Sequence, residues 1–140
     1  MNIENGIEVR LNAEINRAYY TFERYQVIAT FTLVYHEQEI SFERLGKCMR
    51  ISDRFIELDE NHFFIIYHFT SSEDTYKASQ NLLLRLDNYF QNTTTCIAID
   101  NFNPDNSTKV VLNRLKQIIK ETRSHSFARI EYEDILDSYI

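Results

Sequence analysis

Apolar and polar residues recur along this chain at two different periods, and the switches between them mark out its elements. Residues 6–24 repeat at helical spacing: Leu11, Ile15, Ala18 and Tyr19 alternate faces with Val9, Ala13, Arg17 and Phe22. Residues 25–35 change period. Val27, Ile28, Ala29, Thr30, Phe31, Thr32, Leu33, Val34 and Tyr35 form a nearly unbroken β-branched and aromatic run, which predicts a central strand covered on at least one face. A second helix is expected from Ser41, whose hydroxyl can cap it, to about Ser52, with Phe42, Leu45, Cys48 and Ile51 turned inward.

Two short strands are expected next, over 55–58 and 62–69. Asp59, Glu60 and Asn61 join them as a hairpin tip, because Asp and Asn tolerate turn geometry between apolar runs. Thr70, Ser71, Ser72 and Glu73 resemble a capping box that opens a helix to about Phe90, with Tyr76, Ala78, Leu82, Leu83, Leu86 and Phe90 as its stripe. A strand over 95–99, a loop over 103–107 and a last long helix over 108–123 follow. The core face of that helix is Val110, Val111, Leu112, Leu115, Ile118 and Ile119. Residues 127–132 add a short edge strand, and 134–140 a helical tail. The order is α-β-α-β-β-α-β-α, an α+β, ferredoxin-like or palm-type arrangement in one domain over 1–140. Its leading helix spans about 6–24, its core about 25–132 and its tail 133–140.

Composition narrows the class. With 140 residues, 44% hydrophobic and 14% aromatic, the chain can bury a packed core. A net charge of −6 disfavours a broad nucleic-acid surface. No apolar run approaches a membrane span, and the polar start at Met1, Asn2 and Ile3 lacks a signal-peptide pattern. Cys48 and Cys96 have neither metal nor redox spacing and read as buried free thiols, so a cytoplasmic setting is expected. Two glycines and one proline leave little room for a glycine-rich phosphate loop. The four histidines, His36, His62, His68 and His125, show no metal spacing, and no nucleophile motif is present. No cofactor or metal is expected.

One spacing carries more. Arg50, Ile51, Ser52 and Asp53 form an Arg-x-x-Asp, and five residues later come Asp59, Glu60, Asn61, His62 and Phe63. That frame resembles the inhibitory-site motif and signature hairpin of the GGDEF (diguanylate cyclase) family. Leu11 to Ala18 resemble the family's leading helix with its Arg-Ala pair, here Arg17 and Ala18. Thr95, Cys96, Ile97, Ala98 and Ile99 resemble its fourth strand, and Lys120 its helix-terminal lysine.

The departures bear on chemistry. The family's glycine pair lets a guanine nucleotide approach the backbone, and Asp59 and Glu60 stand there instead. Asn61 and His62 replace the following acids. The resemblance implies a second metal-binding acid at the end of the first strand, yet no Asp precedes Asp53, so only Glu37 or Glu39 is available. Only residues 35–41 separate that strand from the second helix, too few for the family's guanine-binding loop and helix. Two-metal phosphoryl transfer needs carboxylates and a phosphate cradle, so cyclase activity is not expected. The resemblance implies a catalytically inactive, bacterial signalling domain that acts through protein–protein interaction or dimerisation. Its alternative is a cyclic di-GMP receptor, with Arg50 forking to guanine O6 and N7 and Asp53 accepting from its N1 and N2 donors. Arg44, Lys47 and Arg54 complete a basic patch there; the plainer reading is a helix-end ion pair with a solvated basic face. If the resemblance fails, a ferredoxin-like regulatory domain of unknown ligand remains. Tyr19, Tyr20, Phe22 and Tyr25 are either core or, if exposed, a partner surface.

Overall fold

A computed structural model describes residues 1–139, with side chains through Leu136. Helix α1 (Asn5–Tyr25) precedes strand β1 (Ala29–Tyr35), and the short α2 (Phe42–Gly46) leads to β2 (Asp53–Glu57) and β3 (His62–His68). Helix α3 (Ser72–Phe90), strand β4 (Cys96–Asp100), helix α4 (Thr108–His125) and strand β5 (Ile130–Glu131) follow, then a 3-10 segment, Glu133–Tyr139. The strands lie in the order β2-β3-β1-β4-β5. The first four are antiparallel to their neighbours, and β5 joins β4 in parallel. The antiparallel part has the ferredoxin-like order, so the α+β expectation holds.

Strand periodicity then builds three layers. Phe31, Leu33, Phe64, Ile66 and Ala98 face α1 and α4, meeting Leu11, Ile15, Ala18, Leu115 and Ile118. Val34, Phe63, Ile65, Ile97 and Ile99 face the crossover helices α2 and α3, meeting Leu45, Leu82 and Leu86. Thr30 and Thr32 are buried among them because each hydroxyl donates to a carbonyl, of Thr70 and Ile65 respectively.

Several boundaries differ from expectation. Gln26 ends α1 in the left-handed region (φ 58°), its N–H bonded to the Phe22 carbonyl, so β1 begins at Ala29 and not at Tyr25. Ser41 caps α2 by accepting from the Arg44 N–H, as expected, but the helix ends at Gly46. Residues 47–52 are turns, in which Cys48 and Met49 bond back three residues to Leu45 and Gly46. Ile51 therefore projects fully into solvent, Phe42 is exposed, and Cys48 is only half-buried, all three contrary to expectation. Ser71, not Thr70, caps α3 by accepting from the Asp74 N–H. Helix α4 runs two residues beyond Arg123, and Val110 in its first turn is exposed. The edge strand expected over 127–132 is only Ile130–Glu131. Of the tail, Ile140 lies outside the described residues. Tyr19 and Phe22 enter an aromatic cluster with Phe31 and Phe102, whereas Tyr20 and Tyr25 stay exposed.

Candidate functional site

The two halves of the sequence frame lie at opposite ends of β2. At its start, the turn after α2 presents Arg50 against Asp53. The Asp53 side chain is 2% exposed and the Arg50 side chain 54% exposed. Asp53 Oδ2 accepts the Arg50 backbone N–H at 2.8 Å, while Oδ1 accepts Arg50 Nε at 3.1 Å and Nη2 at 2.9 Å. Arg50 Nη2 also donates to the Thr70 hydroxyl at 2.8 Å, which itself donates to the His68 carbonyl. The Asp53 hydrogen bond raises the Arg50 pKa further. Behind the pair, burial drives the Tyr67 phenol well above its ordinary range.

The expected basic patch is divided by the sheet. Successive side chains of a strand point to opposite faces. Asp53 and Phe55 face the α3 layer, and Arg54, between them, faces α1 with Ile56. Lys47 lies on the α3 side, where its carbonyl accepts from Arg85 at 3.2 Å. Arg44, on α2, stacks over the Tyr89 ring of α3 at 3.8 Å. Arg50 and Lys47 thus share a face from which Arg54 is excluded. Arg85 joins that face; no feature of its own sequence neighbourhood marked it.

At the other end of β2, the signature positions form the hairpin tip as expected. Asp59 Oδ1 accepts from the Asn61 N–H at 2.8 Å and lies 2.8 Å from His62 Nδ1. The Asn61 amide donates to the carbonyls of His36 and Glu37, at 3.1 and 3.0 Å, while the His36 N–H donates back to the Asn61 carbonyl. The tip is therefore laced to the end of β1. Phe63 is buried and packs in the α3-side core. His36, the first residue past β1, is fully buried against Phe90, its Nδ1 2.7 Å from the Thr95 hydroxyl. Burial lowers its pKa. Glu37 and Glu39 are exposed. Among the described residues, no group of three or more His, Cys, Asp or Glu side chains could hold a metal ion.

Beside the tip is a cavity of about 500 Å³ lined by His62, Lys116, Ile119, Lys120 and Arg123. Arg123 lies over the Tyr35 ring at 3.8 Å and donates to its hydroxyl at 3.1 Å. Of these cations only Lys120 stood out in the sequence. Lys116, Lys120 and Arg123 are four and three residues apart, a helical stripe that would have identified the others. The arrangement can hold an anion.

No family model matches the chain, and no curated protein matches it in sequence. Among solved structures, the fold is similar to that of the GGDEF domain of DgcB from Caulobacter crescentus, determined in complex with c-di-GMP. The TM-score is 0.71 over 87% of each chain, at 10% sequence identity. The chain has the fold of a GGDEF domain, and at that identity the likeness carries the fold alone.

Proposed function

We propose that this chain is a GGDEF-fold signalling domain that does not cyclise GTP and works by recognition in a bacterial cytoplasm, binding a protein partner or a second copy of itself. The observation that carries this reading is the hairpin tip. Asp59 Oδ1 is occupied by Asn61 and His62, and the Asn61 amide by two backbone carbonyls, so of the groups at the tip only the exposed Glu60 adds a carboxylate not engaged in the fold. Two-metal phosphoryl transfer needs carboxylates free to hold cations, and these residues do not fit magnesium. The test is incubation of the purified chain with GTP and magnesium, read by chromatography, beside sedimentation across a concentration series. Any cyclic di-GMP product above background overturns the non-catalytic half, whereas self-association supports the recognition half.

A second reading is favoured by one feature. Arg50 keeps about half its side chain in water although its fork is engaged, and Lys47 and Arg85 lie on the same face. A guanine edge could exchange for Asp53 there, which would make the chain a cyclic di-GMP receptor. Titration calorimetry with cyclic di-GMP tests it. Saturable binding lost in Arg50→Ala supports a receptor, and no heat at high ligand concentration removes it.

A further inference from the structure

Strand β2 is the outer edge of the sheet, and its unpaired side is not covered by another strand. The register fixes which groups are free. Leu58 N–H donates to the His62 carbonyl, in the same register that pairs Glu57 with Phe63 and Phe55 with Ile65. In an antiparallel ladder, bonded and non-bonded pairs alternate. Leu58, Ile56 and Arg54 therefore bond toward β3, while Phe55 and Glu57 point their N–H and C=O groups outward. Among the described residues, neither outward N–H finds a partner.

A trough runs along this edge. One cavity of about 510 Å³ is lined by Ile7, Arg10, Phe42, Glu57, Asp59 and Glu60. A second, of about 170 Å³, continues past Phe42 and Arg10 to Glu14, Arg54 and Phe55. Phe42 is the exposed wall on one side, stacked on Phe55 at 4.5 Å between ring centres, and α1 is the wall on the other. The floor is β2, residues 53–57, about 17 Å of extended chain at roughly 3.3 Å per residue, and the hairpin tip closes one end.

We propose that this edge receives an extended, basic segment of a partner protein as an added strand. It rests on the recognition reading above and gives it a surface. Backbone pairing supplies affinity in such additions, and alternate side chains supply specificity. Charge selects the occupant. Glu4, Glu57, Asp59 and Glu60 line the larger cavity against Arg10 alone. Burial and the neighbouring Glu39 and Asp59 carboxylates raise the Glu57 pKa, the response of an acid crowded by like charge. A second copy is disfavoured as occupant, because it would bring a second set of Glu4, Glu57, Asp59 and Glu60 against the first. In a heterologous strand, basic side chains fall on the face of Phe55 and Glu57, where Phe42 offers an aromatic surface. Apolar ones fall on the α1 side, near Ile7.

The probe is a fluorescein-labelled ten-residue peptide of alternating Val and Lys, followed by anisotropy against the full chain. It is expected to bind at least tenfold more tightly than its Val–Glu counterpart, and a version N-methylated at alternate residues is expected not to bind. Amide exchange at Phe55 and Glu57 should slow at least tenfold with peptide bound. Glu57→Lys, checked for native circular dichroism, should lose at least tenfold in affinity for the Val–Lys peptide. Absence of binding, binding indifferent to N-methylation, or unchanged exchange at Phe55 and Glu57 each overturns the strand site. Sedimentation separates the two levels: a chain that self-associates with those amides unprotected keeps the recognition reading and loses this one.

Discussion

Removing the Asp53 carboxylate should destabilise the fold whether or not any ligand binds beside it. In Asp53→Ala, four hydrogen bonds from Arg50 disappear: one from its backbone N–H and three from its guanidinium, the longest of them Nε to Oδ2 at 3.4 Å. Bonds to charged groups contribute about 1.5–3 kcal/mol each when buried. Those from the guanidinium are discounted here because the Arg50 side chain is 54% exposed and water can replace Asp53. The backbone bond is not, since it closes the turn that leads into β2. The expected cost is about 2–3 kcal/mol in total. At an unfolding entropy of about 2.1 cal/mol/K per residue, a 140-residue chain loses roughly 3–4 °C of melting temperature per kcal/mol. Asp53→Ala should therefore melt about 7–10 °C below the parent chain.

Arg50→Ala supplies the comparison. It leaves Asp53 buried with its backbone N–H bond but without the guanidinium, an uncompensated charge that costs about 3–5 kcal/mol where both partners are buried. With one partner half in water and one bond kept, about 2 kcal/mol is expected. Thermal melts of the two single variants and the double variant, followed by circular dichroism, measure the coupling. A double variant no worse than Asp53→Ala is expected. Single losses below about 2 °C would refute the reasoning and return Asp53 to the status of a residue free for ligand.

Three further outcomes are expected. His36 is buried and its pKa is lowered by that burial, as is that of His68. The unfolded chain takes up protons that the fold refuses, so this stability is present above the ordinary histidine value of about 6.5 and is lost as pH falls below it. Urea midpoints at pH 7 and pH 5 should differ less in His36→Gln than in the parent. Phe64→Ala removes a fully buried ring packed on Phe31 and should cost about 3–5 kcal/mol by urea unfolding. Ile51→Ser, at a fully exposed position, should change stability by no more than about 0.5 kcal/mol.

Element types were legible wherever one face of a periodic segment is buried. Residues 29–35 of β1 read as a central strand because both faces are covered, and the helical stripe of α3 holds at Leu82 and Leu86. Legibility failed where local chemistry overrode pattern. Phe42, Leu45, Cys48 and Ile51 keep helical spacing, but the Asp53 carboxylate draws the Arg50 N–H into a turn and Gly46 favours helix no further. Thr70 satisfies the capping pattern as well as Ser71 does, yet its hydroxyl is turned to other partners, accepting from Arg50 and donating to the His68 carbonyl. The Arg50 and Asp53 pair was legible as a pair, but not its division from Arg54. Strand alternation decides that, and the strand had been expected to begin at Phe55, two residues late. The stripe of Lys116, Lys120 and Arg123 could be read from helical spacing, but not its meeting with His62, which lies about sixty residues away in sequence.

The spacing of the frame has a packing explanation. Phe63, the last letter of the signature, is 2% exposed in the α3-side core and lies beside Phe55. The sheet therefore needs an apolar residue there whatever the tip does. Asp53 is held in the same way, by a backbone N–H as well as by Arg50. The five residues between Asp53 and Asp59 have their spacing set by the ladder, since a one-residue slip would turn Ile56 to the α3 side and Phe55 into the α1 layer. The positions that differ from the family's letters, Asp59, Glu60, Asn61 and His62, lie at the tip or at the first residue beyond it. There a change of side chain leaves the register of β2 and β3 intact. A fold can keep such a frame for packing whatever its tip does, and packing and register account for the spacing from Arg50 to Phe63.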